Sequence, residues 1–369
     1  MSDNVVALFQ HFKPETNSLG ALAHSFSTTR RDHNDVYWLK ENSELLNILE
    51  CTHQEVSAQD IECYRSFYQS LPDRLAFFPQ YYRFLTSIAL DLEALGMEGT
   101  VAQQLCHFVD RQGLAMAELS DLQRAEAQRL LARRDIAQDG SAALSARLHE
   151  FMDHTTSFAI PNRKAAYELT HIVFYLSEYG RRDPELSEKA CKSLLFTGIL
   201  AHLEENADLL AEVCVALRYA GRTPPKEWER WVETVVQGFD LSVGQADPAF
   251  DNYHEYLVAN WACAEMGAPN LSGVYSGSGQ TFLSPVAPLG AMRAVSETLF
   301  ELRSPRLTSW DRMERRLTDA LPDVVAEHLK RVASACPEFS AFFEHFSRTA
   351  HPSAQAHSIK QPSQMERAK

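Results

Sequence analysis

The sequence predicts an all-α protein whose helical hairpins form an α/α toroid or an arc of one, with almost no β-strand. Three observations predict this fold. Helix start signals recur along the chain, glycine-terminated apolar segments repeat, and runs of alternating β-branched residues are missing. The chain has 369 residues, of which 45% are hydrophobic and 10% aromatic, which is enough for a sizeable core.

Charge and cysteine usage narrow the class of protein. The chain has 35 Lys and Arg against 49 Asp and Glu, a formal net charge of −14, which disfavours nucleic acid and anionic membranes as partners. Seven scattered cysteines without zinc-type spacing indicate free thiols in a reducing compartment. No signal-peptide pattern and no bilayer-length apolar run occur. We therefore expect a soluble cytoplasmic protein.

Composition divides the chain into three segments. Residues 1–40 are expected to be partly ordered, and residues 41–350 to form the all-α, toroid-like domain. Residues 351–369 lack an apolar pattern and are expected to be a disordered tail. Residues 268–290 are rich in Gly, Ser and Pro, which predicts a long loop that covers the mouth of the helical barrel.

A weak internal repeat indicates how the helices are arranged. The segments YELTHIVFYLSEYG, DLLAEVCVALRYAG and HEYLVANWACAEMG end at Gly180, Gly221 and Gly267, and RFLTSIALDLEALG ends in the same way at Gly96. Glycine suits the left-handed conformation that ends many helices, so each should lie at a helix end. The spacings of 41 and 46 residues between the last three glycines correspond to one helical hairpin per repeat.

The two helices of each repeat differ in their patterns. Residues 165–179, 208–220 and 255–266 are apolar nearly all round, which predicts helices enclosed on every side. Residues 187–205 and 226–239 carry an apolar stripe on one side only. Enclosed helices and one-sided helices therefore alternate along the chain. An inner ring of helices within an outer ring requires such an alternation, so we predict a toroid rather than a flat solenoid.

Polar residues within the enclosed helices form the candidate site, because burying polar groups without a reason is costly. Positions nine and thirteen before each glycine are four residues apart, so they share one helix face. These positions hold Tyr167 with His171, Asp208 with Glu212, and His254 with Val258, while the position twelve before adds Glu168 and Glu255. We expect His171, Glu212, His254 and Asp208 to converge at one mouth of the barrel.

Histidines and carboxylates at one place permit two kinds of chemistry. His171, Glu212 and His254 could ligate a divalent transition metal such as zinc or non-haem iron. The same groups with Asp208 could act as acid and base without a metal. A structural interpretation of the same residues stays open. His171 could donate to a backbone carbonyl, and Glu212 could pair with His171 or with Arg218. Asp208 could complement the positive start of its helix, and His254 could act as a helix cap.

The chain also resembles a known family. The stretches FFPQYYRFL, AAYELTHIVFYLSEYGRRDP, NADLLAEVCVALRYAGRTPP and DNYHEYLVANW resemble an uncharacterised α-proteobacterial family classed as a domain of unknown function, over about residues 25–345. This resemblance implies no activity. More distantly, the hairpins are similar to those of α/α-toroid proteins, a class that includes terpenoid and lanthipeptide cyclases. The chain lacks a DXDD motif, QW repeats and a Cys/Cys/His zinc set, so neither cyclase activity is implied.

Two hypotheses about function follow. The first is an enzyme of unknown specificity that acts on a small-molecule or peptide substrate through the His and carboxylate residues. The second is a non-catalytic helical-repeat module that binds another protein. Fold alone cannot decide between them. Both are compatible with a homo-oligomer, because aromatic side chains on the one-sided helices could pack within the chain or against a second subunit.

Overall fold

The computed structural model describes residues 19–244, 251–303 and 306–349, and these residues are mostly helical. The α-helices, in chain order, are α1 (Leu19–His24), α2 (Val36–Cys51), α3 (Arg65–Phe77), α4 (Tyr82–Ala94), α5 (Val101–Arg111), α6 (Asp121–Ala132), α7 (Ser141–Met152), α8 (Arg163–Leu176), α9 (Glu188–Glu204), α10 (Ala207–Tyr219), α11 (Lys226–Gly238), α12 (Tyr253–Met266), α13 (Ala291–Leu302), α14 (Trp310–Thr318), α15 (Asp323–Ala335) and α16 (Phe339–Phe346). Shorter helical turns lie at Ser25–Thr29, Glu62–Tyr64, Pro79–Tyr81, Ala115–Ala117 and Thr155–Ala159. The all-α prediction is confirmed.

A two-stranded antiparallel ribbon is the one sheet within the described residues. Strand β1 (Asp240–Val243) pairs with β2 (Gln280–Leu283), with Asp240 opposite Leu283. The prediction of a loop throughout residues 268–290 is therefore wrong at β2. Phe282 is fully buried, and its ring centroid lies 4.8 Å from that of Tyr256. This packing stabilises the strand. Four residues are too few for alternation to be recognised in the sequence.

Local signals set the helix ends as the sequence predicts, except at Gly180. The side chain of Asn162 caps α8 by accepting a hydrogen bond from the amide of Ala165. The glycines that end the repeated segments have left-handed backbones, with φ of 84° at Gly180, 69° at Gly221 and 71° at Gly267. The predicted glycine ends are confirmed at Gly267, which caps α12, and at Gly221, which follows the cap residue of α10. The prediction is wrong at Gly180, because α8 already ends at Leu176 and the left-handed residues Glu178 and Tyr179 come before this glycine.

Six helices form a closed cycle of contacts: α2, α4, α6, α8, α10 and α12, here called the inner helices. Each packs against the next, and α12 packs back against α2. Helices α5, α7, α9 and α11 each pack against the inner helix before them and the one after. The three helices predicted to be enclosed, α8, α10 and α12, all belong to this cycle.

The inner helices run in the same direction, as side-chain contacts at both ends indicate. At the amino-terminal ends, the hydroxyl of Tyr167 on α8 donates to Asp208 on α10. At the carboxyl-terminal ends, the hydroxyl of Tyr219 on α10 donates to Glu265 on α12. Arg133, just after α6, pairs with Asp91 near the end of α4. Amino-terminal ends therefore contact amino-terminal ends, and carboxyl-terminal ends contact carboxyl-terminal ends.

Helix α9 differs from the one-sided helix that its sequence predicts. Most of its residues are buried, including Phe196, Ile199 and His202. The cause is the carboxyl-terminal part of the chain, because α13, α15 and α16 all pack against α9. By contrast, α11 buries one stripe through Trp228, Val232 and Val235, as predicted. Later helices thus cover α9 much more than α11, whose main contact among α13–α16 is with α15.

The carboxyl-terminal ends of the inner helices are joined by ion pairs and aromatic rings. Arg133 Nη1 lies 2.6 Å from Asp91 Oδ1, and Asp91 is fully buried. The Arg129 guanidinium is buried 4.4 Å from the ring centroid of Tyr179, which stacks on Trp261. Buried charges are stable only when paired, so these contacts hold this end of the inner helices together.

All seven cysteines are free, and six of them are buried, which confirms the expectation of free thiols. No helix within the described residues is long and apolar enough to cross a bilayer. Residues 1–18 and 350–369 lie outside the described residues, and with them the whole of the predicted tail, residues 351–369. The boundary predicted after residue 40 falls inside α2, and the division of the chain into segments stays a prediction.

Candidate functional site

The four residues that the repeat singles out lie on three neighbouring inner helices. His171 is in the middle of α8, Asp208 and Glu212 are in the first half of α10, and His254 is the second residue of α12. Asp208 and His254 are each the second residue of their helices, while Glu212 is the sixth residue of α10 and His171 is the ninth of α8. The glycine alignment pairs Asp208 with His254, and Glu212 with His171, and both pairs are in contact in the structure.

Asp208 is the centre of the polar contacts. The hydroxyl of Tyr167 donates to Oδ2 of Asp208 over 2.7 Å, and Nε2 of His254 lies 3.3 Å from Oδ1. The imidazole of His254 approaches Oδ1 without hydrogen-bond alignment, so this buried oxygen has no hydrogen-bond partner. One carboxylate thereby links α8, α10 and α12.

Glu212 is the most deeply buried carboxyl of the group, with 2% of its surface exposed. The hydroxyl of Thr170 hydrogen-bonds Oε2 of Glu212, and Nδ1 of His171 lies 3.6 Å from the same oxygen. Burial raises the pKa of Glu212 to about 6, with a further increase from Asp208 and opposing effects from His171 and Thr170. This carboxyl can therefore take up or release a proton near neutral pH.

His171 is held by the backbone of its own helix. Its Nδ1 lies 2.8 Å from the carbonyl oxygen of Tyr167, one turn earlier on α8. A neutral imidazole that donates from Nδ1 to this carbonyl keeps a lone pair on Nε2. About a third of the His171 side chain is exposed, so water reaches the group. The contact with the carbonyl matches the structural interpretation, while the free nitrogen permits ligation or proton transfer.

Glu44 on α2 belongs to the same group, although the sequence did not single it out. Its Oε2 lies 3.2 Å from Nδ1 of His254, so the imidazole stands between two carboxylates. Burial alone would lower the pKa of His254, but Glu44, Asp208 and Glu212 together raise it to about 10. Burial would raise the pKa of Glu44, but His254 lowers it below its usual value. We call Glu44, His171, Asp208, Glu212 and His254 the His–carboxylate cluster.

The alignment on glycines could not find Glu44. Helix α2 ends at Cys51 without a glycine, so it has no place in the set of glycine-terminated repeats. The sequence offered no other signal, because VYWLKENSELLNILEC also contains Lys40, Asn47 and Glu50, and Glu44 does not stand out from the polar residues around it. That Glu41 and Asn42 are buried in this helix is visible only in the structure.

Three side chains of the cluster have the geometry of a metal-ligand set. Ligand atoms of Asp208, Glu212 and His254 all lie within 4.8 Å of one another. His171 is not in this set; it lies beside Glu212. Three buried atoms of the cluster also lack a hydrogen-bond partner, namely Oε2 of Glu44, Oδ1 of Asp208 and Nδ1 of His254. Unsatisfied polar atoms are rare in folded proteins, and a cation bound beside Nε2 of His254 would satisfy Oδ1 of Asp208, which lies 3.3 Å from that nitrogen. Nδ1 of His254 would then face Oε2 of Glu44 as a hydrogen-bond donor.

The two further glutamates of the alignment have local partners. Oε1 of Glu168 lies 3.8 Å from the ammonium of Lys164, one turn earlier on α8. Oε1 of Glu255 accepts a hydrogen bond from Ser284 over 2.5 Å. The carboxylates of Glu168 and Glu255 thus both have partners outside the cluster.

Comparison with known proteins gives one match. A family model described as a domain of unknown function, DUF6902, covers residues 2–349. No curated protein and no solved structure matches the chain significantly. The resemblance to a family of this class is therefore confirmed, while its α-proteobacterial origin stays a prediction. Since the family model spans nearly the whole chain, this protein belongs to the DUF6902 family.

Proposed function

We propose that this protein is a metal-dependent enzyme whose site lies inside an α/α toroid of the six inner helices. Asp208, Glu212 and His254 would hold one divalent transition metal, and His171 would serve as the neighbouring acid–base group. One observation carries the proposal: the ligand atoms of those three side chains already lie within 4.8 Å of one another. Metal bonds of about 2.1 Å place ligand atoms at most about 4 Å apart, so only a small adjustment is required.

The ligand chemistry supports a borderline or hard divalent ion. Two carboxylates and one imidazole, with no thiolate, suit zinc, iron or manganese. Such an ion supplies a bound water of lowered pKa or polarises a substrate oxygen. In the absence of a metal, the raised pKa of His254 means that its imidazole carries a proton. Metal binding at His254 must therefore release that proton.

The remaining side chains have distinct roles in this proposal. Glu44 would accept a hydrogen bond from Nδ1 of His254 and orient the imidazole, as carboxylates do for metal-bound histidines. Tyr167 would orient Asp208 through the phenolic hydrogen bond. His171 would move a proton through Nε2, because Nδ1 is occupied by the carbonyl of Tyr167. The substrate would be a small molecule or a peptide segment that enters between the inner helices.

The test is metal content, measured by elemental analysis after dialysis of the full chain against Mn²⁺, Fe²⁺ or Zn²⁺. About one equivalent should remain with the native protein, and Asp208→Asn or His254→Gln should lose it. Glu168→Gln is the control, because Glu168 lies on α8 but pairs with Lys164 outside the cluster. A native protein that retains no metal, or variants that all retain it equally, would contradict the proposal. Circular dichroism establishes that each variant is folded.

A non-catalytic interaction module is the second candidate, and a different observation favours it. His254 already stands between Glu44 and Asp208, so both of these carboxylates face a positively charged imidazole without any ligand. In that case the cluster would only stabilise the packing of α2, α10 and α12. Absence of bound metal together with a lower melting temperature in Asp208→Asn would favour this candidate over the enzyme.

A further inference from the structure

A cleft of about 220 Å³ lies between α11, β1, α12 and the residues that follow α12. Six of the side chains that line this space, here called the α11–α12 cleft, are Glu233, Val236, Phe239, Leu241, Tyr256 and Asn260. A cavity of about 150 Å³ is enough to hold benzene. The cleft therefore has room for a six-membered ring that carries a short chain.

The cleft and the His–carboxylate cluster lie on different faces of α12. Tyr256 and Asn260 are four residues apart, so they share the face of α12 that lines the cleft. His254 comes two residues before Tyr256 and contacts Glu44 on α2 and Asp208 on α10. Residues two apart on a helix do not face the same way. A ligand in the cleft would therefore be separate from a metal at the cluster.

Buried polar contacts hold the walls of the cleft in place. The side-chain oxygen of Asn260 accepts a hydrogen bond from the amide of Leu271 over 2.6 Å, and its Nδ2 donates to the carbonyl of Tyr256. The hydroxyls of Tyr256 and Tyr275 are 2.8 Å apart, and the ring of Phe239 lies edge-on to that of Tyr256. Since Tyr256, Asn260 and Tyr275 are at most 2% exposed, the cleft has its shape before any ligand binds.

Glu233 is the charged side chain among the residues that line the cleft. Its carboxylate accepts a hydrogen bond from Gln237 over 3.3 Å, and no arginine or lysine of the described residues forms an ion pair with it. Burial raises the pKa of the Cys263 thiol on α12 to about 12, and the charge of Glu233 adds to this increase. The carboxylate charge therefore acts across the gap between α11 and α12 without a cation to offset it.

We propose that the α11–α12 cleft binds an organic cation made of one aromatic ring and a primary ammonium group on a short chain. The ammonium would pair with Glu233, and the ring would lie against the half-buried side chains of Phe239 and Leu241. The unpaired carboxylate and the net charge of −14 both favour a cation. An aromatic ligand can add a further edge-to-face contact to the pair that Phe239 forms with Tyr256. This site lies beyond the proposed function and requires no metal.

The test is a ligand-observed NMR titration of the full chain near neutral pH. The probes are phenethylammonium, phenylethanol, which lacks the charge, and ethylammonium, which lacks the ring. Phenethylammonium should bind at least about ten-fold more tightly than either of the others. Glu233→Gln should weaken phenethylammonium binding about ten-fold and remove its advantage over phenylethanol. Glu227→Gln is the matched control and should leave binding unchanged, because Glu227 is also on α11 but pairs with Arg230.

Three results would overturn the site in the cleft. The first is equal affinity of the native protein for phenethylammonium and phenylethanol, and the second is an equal loss in Glu233→Gln and Glu227→Gln. The third comes from Asp208→Asn, which should leave phenethylammonium binding unchanged. A loss in Asp208→Asn rather than in Glu233→Gln would mean that the cation binds at the His–carboxylate cluster. A protein that binds no metal but prefers phenethylammonium through Glu233 would support this site and contradict only the metal-dependent enzyme.

Discussion

The imidazole of His254 lies 3.3 Å from Asp208 on one side and 3.2 Å from Glu44 on the other. His254 is on α12, Asp208 on α10 and Glu44 on α2, so this one side chain bridges three inner helices. It does so where the end of the cycle meets its beginning, because α12 packs against α2. The stability of this junction should therefore depend on the protonation of His254.

Stability should fall at high pH because of His254. Its pKa is raised from about 6.5 to about 10 on folding, so its contribution is fully present below pH 6.5 and disappears as the pH rises through about 10. His254→Gln should lower stability at pH 6, and should lower it much less at pH 10.5. Urea unfolding at both pH values measures this difference. His107→Gln, at an exposed histidine, should show no such difference, and equal effects at both pH values for His254→Gln would contradict the account.

Removing the charge of Glu212 should stabilise the metal-free protein above pH 6. Burial raises its pKa to about 6, so the carboxyl favours folding below about pH 4.5, and that contribution disappears as the pH rises through about 6. Glu212→Gln keeps the shape and the acceptor for Thr170, and should raise the free energy of unfolding at pH 8 by about 1–2 kcal/mol. Urea unfolding of the metal-free variant measures it. A clear loss of stability would mean that the ionised carboxylate is needed for packing.

Metal affinity should increase with pH. The metal must displace the proton of His254, whose pKa is about 10 without metal, so affinity should increase steadily from pH 6 to pH 9. Competition titrations with a chromophoric chelator at several pH values measure the slope. A pH-independent affinity would show that His254 is not a ligand.

The opposite end of the inner helices should be structural. Arg133→Ala leaves the fully buried Asp91 carboxylate without its partner, which should cost about 3–5 kcal/mol of stability. Thermal unfolding measures the loss, and the double variant Arg133→Met, Asp91→Leu should recover much of it. Metal content should be unchanged in the folded double variant. Loss of metal in that variant would contradict the separation of the two ends.

The ring of Trp228 on α11 packs directly against Gly198 on α9. A Cβ atom at position 198 would come within 2.3 Å of this buried ring, so the ring would have to move. Gly198→Ala should therefore destabilise the protein by about 1–3 kcal/mol. Chemical unfolding of this variant, and of Gly198→Ala with Trp228→Phe, measures the effect. The double variant should recover part of the loss, and a neutral single variant would contradict the packing described here.

The sequence predicted the features that depend on local pattern. Left-handed glycines and Asn162 define helix ends through backbone geometry and side-chain caps, both of which act over a few residues. Helix α8 ends four residues before Gly180, yet equal positions before the three glycines of the repeat are in contact across α8, α10 and α12. As a result, His171, Asp208, Glu212 and His254 could be brought together before any coordinates were known.

Features that depend on distant parts of the chain were not predicted. Glu44 joins the cluster because α12 packs on α2, a contact between segments about two hundred residues apart. Helix α9 is buried on both sides because later helices cover it, and β2 exists because Phe282 packs beside Tyr256. In each case tertiary contacts decide the outcome, and the local sequence carries little trace of them.

The most direct test of the central claim is anomalous diffraction from crystals of the full chain soaked with Mn²⁺ or Zn²⁺. The account predicts one strong peak at about 2.1 Å from side-chain atoms of Asp208, Glu212 and His254. A metal at another site, or no peak within bonding distance of these three residues at saturating metal, would contradict it.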